Sequence, residues 1–538
     1  MSEGPLPQTF NFADLWEAVW PRIAEREALV CGDQRRTYAE LGGRINQLAR
    51  HLQAAGLQPG EHIGLCMPNR VEWLEGFLAA FTIRAVPINL NHRYTSAELS
   101  ALLENDGARA VIYDDATAAE VEPVVAKLGM DIVLKAGDDF EAALAAQSSD
   151  PLDVERSSDD HYVLYTGGTT GMPKGVVWRQ EDALYACIGG GDPSRIGGGP
   201  ITQPEEIVER IGGPVSYLPI APLMHAAAQW TSLMWLFAGG KTTLMPGSLD
   251  PAAVWQAVQD EKVNSITVVG DAVAKPLMDC WDENPGRWDV SSLYAIANGA
   301  APMSPSMKAR LGATFPDKIL IDGMGSSETG AQGSERLEPG TAGRDGGGMP
   351  RFKAFENTCV VDDDRRPVEP GSGVIGRLAL TGHIPLGYHN DPERTAQTFV
   401  EVNGVRHVVT GDMATVDPDG SIQLLGRGSQ CINTGGEKVF PEEVESVLHA
   451  HPSVGDVLVV GVPDERWGSV VTAVVEPHGG AQPDLDELRE HCRSTLAGYK
   501  LPKHLVLVDK IRRSPAGKAN YPWAEQLAQT EIGQVDRA

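Results

Sequence analysis

The stretch Tyr165-Thr-Gly-Gly-Thr-Thr-Gly-Met-Pro-Lys-Gly-Val176 gathers glycines, hydroxyls and one lysine into a single short run. Those residue types together suit an anion. Gly167, Gly168, Gly171 and Gly175 permit backbone conformations that turn N–H groups inward. Thr166, Thr169 and Thr170 add hydroxyl donors, and Lys174 adds a point charge for phosphate. The apolar residues just before predict a strand, so the loop sits at a strand's C-terminal end, where open α/β sheets bind ligands. It is not a Walker loop, which needs Gly-Lys-Ser/Thr in succession. Here Met172 and Pro173 separate Gly171 from Lys174.

Further segments follow in order: Ala221-Pro-Leu-Met-His225, Asn298-Gly-Ala-Ala-Pro302, Asp322-Gly-Met-Gly-Ser-Ser-Glu328, Gly387-Tyr-His-Asn-Asp-Pro-Glu393 and Thr410-Gly-Asp412. Leu425-Gly-Arg427, Gly435-Gly-Glu-Lys-Val-Phe-Pro-Glu-Glu-Val-Glu445 and Ser514-Pro-Ala-Gly-Lys518 complete the set. With the loop at 165–176 this series resembles the adenylate-forming superfamily of acyl-CoA synthetases, adenylation domains and luciferases. Each motif alone is weak; their shared order along most of the chain is specific.

The resemblance implies ATP, Mg²⁺ and CoA as the small molecules bound, with a carboxylic acid as substrate. It makes Gly299, Ala300 and Ala301 the adenine-pocket loop, together with Asp322, Gly323, Met324, Gly325, Ser326 and Ser327. Asp322 would accept from the adenine amino group. Met324 stands where relatives carry tyrosine, so stacking on adenine is weakened or supplied elsewhere. Glu328 is a hard oxygen ligand suited to Mg²⁺, with Thr170 as a second ligand. Asp412 offers two acceptor oxygens to the two ribose hydroxyls, and Arg427 reaches the same sugar. His225 is a gate or wall beside the reacting carboxylate.

Lys518 is implied as the adenylation residue: a cation stabilises charge built at the α-phosphate. The small C-terminal domain would then rotate and present Gly435 and Gly436 beside the pantetheine channel. Ser429 stands where many relatives have Asp or Lys, which puts the hinge's polar contacts in doubt.

The segment after His225 is Ala-Ala-Ala, with no carboxylate to pair an α-ammonium. No carrier domain is expected after Lys518. Both points favour a free-standing CoA ligase over an amino-acid adenylation domain. The fine motifs most resemble a branch handling fatty acids and steroid side-chain carboxylates, and small residues at 226–228 and 299–301 leave room for a bulky apolar acyl group. An aryl or short acid, a non-CoA acceptor, a non-catalytic nucleotide-binding module and an ordinary NTPase are the competing readings.

The elements that must hold these residues are legible in outline. Thr37–Ala55 has apolar residues at helical spacing with Thr37 as cap. The run 62–67 reads as a buried strand, 73–83 as a helix and 85–88 as another strand. This alternation predicts a mostly parallel sheet with helices on both faces. Ala226 to Gly240 reads as a buried helix. A glycine-rich loop, 189–199, precedes a helix that Thr202 can cap, with Pro204 in its first turn. From Val360 short apolar runs separated by Asp-Asp, Pro-Gly and Asp-Gly turns predict an antiparallel, barrel-like section. The fold class is therefore a large α/β domain over 1–428 with that section, followed by a small, mobile α+β domain over 429–538.

The chain has 538 residues and a formal net charge of −28. So acidic a surface repels phosphate backbones, which argues against nucleic acid as a partner. Seven cysteines at scattered spacings fit reduced thiols in the cytoplasm. No signal peptide or integral membrane segment is expected, and a homodimer is compatible with the sequence.

Overall fold

A computed structural model describes residues 6–166, 173–192, 199–299, 301, 303–337, 351–434, 437–464, 466–513 and 519–535, with Arg427, Ser429 and residues 533–535 described in their backbone alone. Thr37 caps the helix Tyr38–Ala54: its hydroxyl accepts from Glu40 N, and the Glu40 carboxylate accepts from Thr37 N at 2.8 Å. The strand His62–Cys66 is buried at every position. It lies between Val86–Asn89 and Ala110–Tyr113, and Ile132–Lys135 completes a four-stranded parallel sheet. Strands sealed on both faces carry continuous apolar runs, as this one does.

A larger sheet has a parallel centre. Its neighbours in order are Ile319–Ser326, Ala295–Asn298, Ser265–Val268, Ser216–Pro219, Lys241–Leu244 and Glu27–Cys31. The helix Ala226–Phe237 crosses between two of these strands and buries Ala228, Leu233, Leu236 and Phe237, as the apolar run predicts.

Three expectations are corrected. The antiparallel section closes no barrel. Arg351–Ala354 pairs with Gly330–Leu337 on one side and with Ile422–Arg427 on the other, so the section extends the large sheet. A barrel needs its first and last strands to pair, whereas among the described strands Thr358–Val361 is the end of the sheet and has Gly376–Thr381 as its one strand neighbour. The segment after the glycine-rich stretch is a 3-10 helix, Pro204–Arg210, with Gln203 in the cap position. Thr202 instead binds Glu206 through its N–H at 3.0 Å and its hydroxyl at 2.7 Å. Residues 193–198 of that stretch lie outside the described residues. Finally, the strand before the phosphate-loop sequence does not belong to a parallel sheet. His161–Thr166 forms an antiparallel hairpin with Lys174–Arg179, and Gly387–Tyr388 is its third strand.

Beyond Ile432 the chain builds a five-stranded sheet with two apolar clusters of its own, one around Val459 and Leu488, the other around Val474 and Ala528. Under it, the Glu445 carboxylate accepts from Val459 N at 2.7 Å and from the Tyr521 hydroxyl at 3.1 Å. Burial, reinforced by Glu442, pushes its pKa up to about 8 from an ordinary value of about 4.5. Because the folded value lies above the unfolded one, its contribution to stability is complete below about pH 4.5 and fades as pH rises toward 8. Unfolding of the intact chain at pH 5.5 and pH 8 should show this loss, and Glu445→Gln should flatten the profile. Parallel profiles for the two proteins would contradict the assignment.

Candidate active site

The ladder of the 161–179 hairpin pairs Thr166 with Lys174 and Tyr165 with Gly175. Thr166 and Lys174 are therefore the two ends of the loop. Gly167, Gly168, Thr169, Thr170 and Gly171 lie outside the described residues. Gly175 has a different task from the anion-binding one expected of it. A Cβ there would stand 2.9 Å from Tyr165 Cζ and 3.2 Å from His389 Cβ, so this glycine admits a ring into the hairpin's face.

The hairpin is anchored from behind. Buried Asn89, at the end of a parallel strand, donates to Tyr165 O and to Met224 O, each at 2.7 Å, and accepts from Tyr165 N at 2.8 Å. One amide side chain thus fixes the root of the loop against the segment ending in His225. That histidine is the N-cap residue of the helix Ala226–Phe237, at φ −110° and ψ 143°. Ala228 is in the helix's packed face, so its small size serves the core, while Ala226 and Ala227 are half-buried.

Glu328 is carried to the same place by a second hairpin, Ile319–Ser326 with Gly330–Leu337. Its turn is held without the glutamate: Ser326 N donates to Thr329 Oγ1 at 2.9 Å. Trp178, on the loop's own strand, donates from Nε1 to Ser327 O at 3.0 Å and ties the two hairpins together. Within the turn's stem, Gly325 is required, because a Cβ would overlap Gly330 O.

Tyr388 closes the arrangement. It pairs with Val176 on the Lys174 strand, and its hydroxyl donates to Glu328 Oε1 at 2.9 Å. Burial, then the Glu328 charge, holds the phenol well above its ordinary pKa, so it stays a donor. The Lys174 ammonium lies 5.4 Å from the same ring's centre. A polar cavity of about 120 Å³ opens here between Asn105, Lys174, Tyr388, His389 and Arg394. The site thus sets a cation and an oriented carboxylate around one tyrosine. A hard divalent ion such as Mg²⁺ fits that donor set, with Glu328 as ligand. Thr170, the other expected ligand, is outside the described residues.

Tyr388→Phe should raise the Mg²⁺ concentration for half-maximal adenylation about tenfold by loosening Glu328. The rate at saturating Mg²⁺ should be largely kept. Unchanged Mg²⁺ dependence would show that the hydroxyl plays no part in orienting the carboxylate.

The expected adenine pocket has a polar floor. Asn298 donates to Asp322 Oδ1 at 2.7 Å and to Ala301 O at 2.9 Å, and Lys308 Nζ pairs with Asp322 Oδ2 at 2.6 Å. Burial holds the Asp322 carboxyl above its ordinary pKa against the pull of Lys308. Asp322 is thus already bound to two protein donors. Gly299 faces open space where its Cβ would be, and Gly323 lies close to Asn298 O. Met324 packs against the apolar cluster of Val360, Leu378, Ala414 and Ile422. Ala300 is outside the described residues.

Asp412 and Arg427 are directly opposite in the ladder between Val405–Val416 and Ile422–Arg427. Gly426, inside the second of these strands, sits at φ +119°, a conformation that side chains rarely adopt, and faces the Glu442 carboxylate. Gly435, Gly436 and Lys518 lie outside the described residues. Their flanks are defined: Thr434 pairs with Glu437, and Arg513 bridges Ala519.

The structure thus brings Thr166, Lys174 and Glu328 together, with Asp412 and Arg427 as a second pair. Sequence reasoning missed Asn89, Trp178, Lys308 and Tyr388 as supporting residues. Asn89 had a signal, a polar residue ending a fully apolar strand. Trp178 and Lys308 had none, because their partners are 149 positions away in one case and set by helix packing in the other.

Comparison with known proteins fits this geometry. The family model described as "AMP-binding enzyme" matches residues 16–389, and that described as "AMP-binding enzyme C-terminal domain" matches 443–518. A 3-oxocholest-4-en-26-oate–CoA ligase from Rhodococcus rhodochrous is 45% identical, over 98% of this chain and 97% of its own length. A medium/long-chain-fatty-acid–CoA/3-oxocholest-4-en-26-oate–CoA ligase from Mycobacterium marinum is 41% identical, over 98% of both. Among solved structures, an anthranilate CoA ligase in complex with anthranoyl-AMP superposes with a TM-score of 0.84 at 23% identity, covering 99% of this chain and 100% of that one.

Proposed function

The chain belongs to the AMP-binding enzyme family, and on that premise we propose that it joins a medium- or long-chain fatty acid, or a steroid side-chain carboxylate, to CoA. The chain is an AMP-forming acid–thiol ligase using ATP, Mg²⁺ and CoA. The observation that carries the site assignment is Glu328, held by Tyr388 on the strand paired to that of Lys174.

In the first step a carboxylate oxygen attacks the α-phosphorus. The bond to the bridging oxygen breaks, and pyrophosphate leaves with that electron pair. Thr166, the loop amides and Lys174 hold the phosphates, and Lys518 stabilises charge developing around the α-phosphorus. Glu328, with Thr170, would hold Mg²⁺, which screens the phosphate charge. Asp412 and Arg427 hold the ribose, while Gly299, Ala301 and the 322–327 segment border the adenine. In the second step the CoA sulfur attacks the acyl carbon, its proton passes to solvent, and AMP leaves with the former carboxylate oxygen. His225 lines the acyl side, and the 435–436 segment borders the thiol's path. We place the division between the two domains at 428/429, with the smaller one moving between steps.

Two supports favour an apolar acid. Relatives matched along their whole length are named for such acids. The residues around His225 also offer no carboxylate to an α-ammonium. An acid panel with ATP, Mg²⁺ and CoA, read by AMP release, tests this. Long-chain and steroid acids should turn over best; preference for acetate or benzoate would refute the substrate class.

No described helix is long and apolar enough to cross a membrane, and all seven cysteines are free thiols. These support a cytoplasmic location, and a homodimer belongs to the same reading, to be measured by light scattering.

A further inference from the structure

Beside the cavity that Lys174, Tyr388 and His389 line lies a cluster of titratable side chains to which the proposed ligase steps assign no task. Asp106 is the last residue of the helix Ser96–Asp106, and its side chain is fully buried. His62 Nδ1 lies 2.8 Å from its Oδ2, and the Tyr165 hydroxyl donates to that same oxygen at 2.9 Å. His389 Nε2 is 3.9 Å from Oδ2 and 3.0 Å from the Asp106 carbonyl oxygen. The two imidazole rings lie 4.8 Å apart between centroids. Oδ1 of the same carboxylate accepts no hydrogen bond among the described residues. Its only charge partners among the described residues are the two imidazoles, with no lysine or arginine.

Buried charges are paired or coordinate metals, and the groups paired with this carboxylate are two imidazoles, themselves metal ligands by type. We propose that His62, Asp106 and His389 form a binding site for one zinc-type divalent ion. The three ligand atoms lie within 4.8 Å of one another. Tetrahedral zinc separates its ligands by about 3.3 Å, a value between the 2.8 and 3.9 Å from Asp106 Oδ2 to the two ring nitrogens. Two imidazoles and a carboxylate suit zinc, cobalt or nickel and are too nitrogen-rich for magnesium or calcium. Water would complete the fourth position.

The location gives the ion a structural task. His62 begins a strand of the four-stranded parallel sheet, Asp106 ends a helix covering it, and His389 follows Tyr388 on the third strand of the hairpin unit. Asn390 beside it donates to Asn105 O at 2.7 Å, so the same loop already docks on that helix end. An ion here would staple the hairpin that carries Lys174 to the body of the protein.

The test uses the intact chain without ATP, acid or CoA, so it is independent of the ligase reading. The protein is stripped with chelator, then reloaded with Zn²⁺ or Co²⁺. One equivalent should remain through gel filtration, Co²⁺ should give visible ligand-field absorption, and the melting temperature should rise with Zn²⁺ concentration. His62→Gln and His389→Gln should each weaken binding at least tenfold. No retained metal and no Co²⁺ spectrum in the wild-type chain would overturn the proposal. Equal binding by both variants would do the same. A melting temperature that follows pH but not Zn²⁺ would reassign the cluster to a proton-bridged network and also refute it.

Discussion

Replacing Lys518 by alanine is expected to slow acyl-adenylate formation about 10³-fold. Thioester formation from supplied acyl-AMP and CoA should stay near the wild-type rate. The asymmetry follows from where charge appears. When a carboxylate oxygen closes on the α-phosphorus, negative charge grows on the equatorial oxygens and on the departing bridging oxygen. An ammonium brought beside them would stabilise that state more than the ground state. The second step separates the acyl carbon from an AMP already formed, so it makes no such demand on this lysine. Equal loss of both steps would refute the assignment of Lys518.

The second large effect is expected at Glu328. Glu328→Gln keeps the shape and an oxygen for Tyr388 to donate to, but it removes the charge. At low Mg²⁺ the adenylation rate should fall about a hundredfold, and added Mg²⁺ should recover much of it. Fold changes will not explain the loss, because the turn is held by Ser326, Thr329 and Trp178 rather than by the glutamate. Mg²⁺-independent loss would move Glu328 out of the metal site.

Much of this was readable in the sequence, for identifiable reasons. Thr37 with Glu40 is a local signal, and the capping box forms where it stands. The run 63–66 that follows His62 reads as a sealed strand because its side chains offer water almost nothing to bind. Asp412 and Arg427 are 15 positions apart with a turn between them, so an antiparallel ladder could set them opposite each other. Other features depend on distant partners. Whether antiparallel strands close a barrel or extend a sheet is settled by which edge is free, and Arg351–Ala354 finds the edge at Gly330–Leu337. Gly175 reads like its loop neighbours until Tyr165 is seen across the ladder. Tyr388 lay inside a recognised motif, yet its task appears only once Glu328 is placed beside it.

The central claim is that a carboxylate oxygen attacks the α-phosphorus of ATP. Turnover of a long-chain or steroid acid labelled with ¹⁸O in its carboxylate tests it directly. The account predicts one labelled oxygen in the AMP released and none in pyrophosphate. Label in pyrophosphate or inorganic phosphate, or AMP free of label during productive CoA ligation, would contradict it.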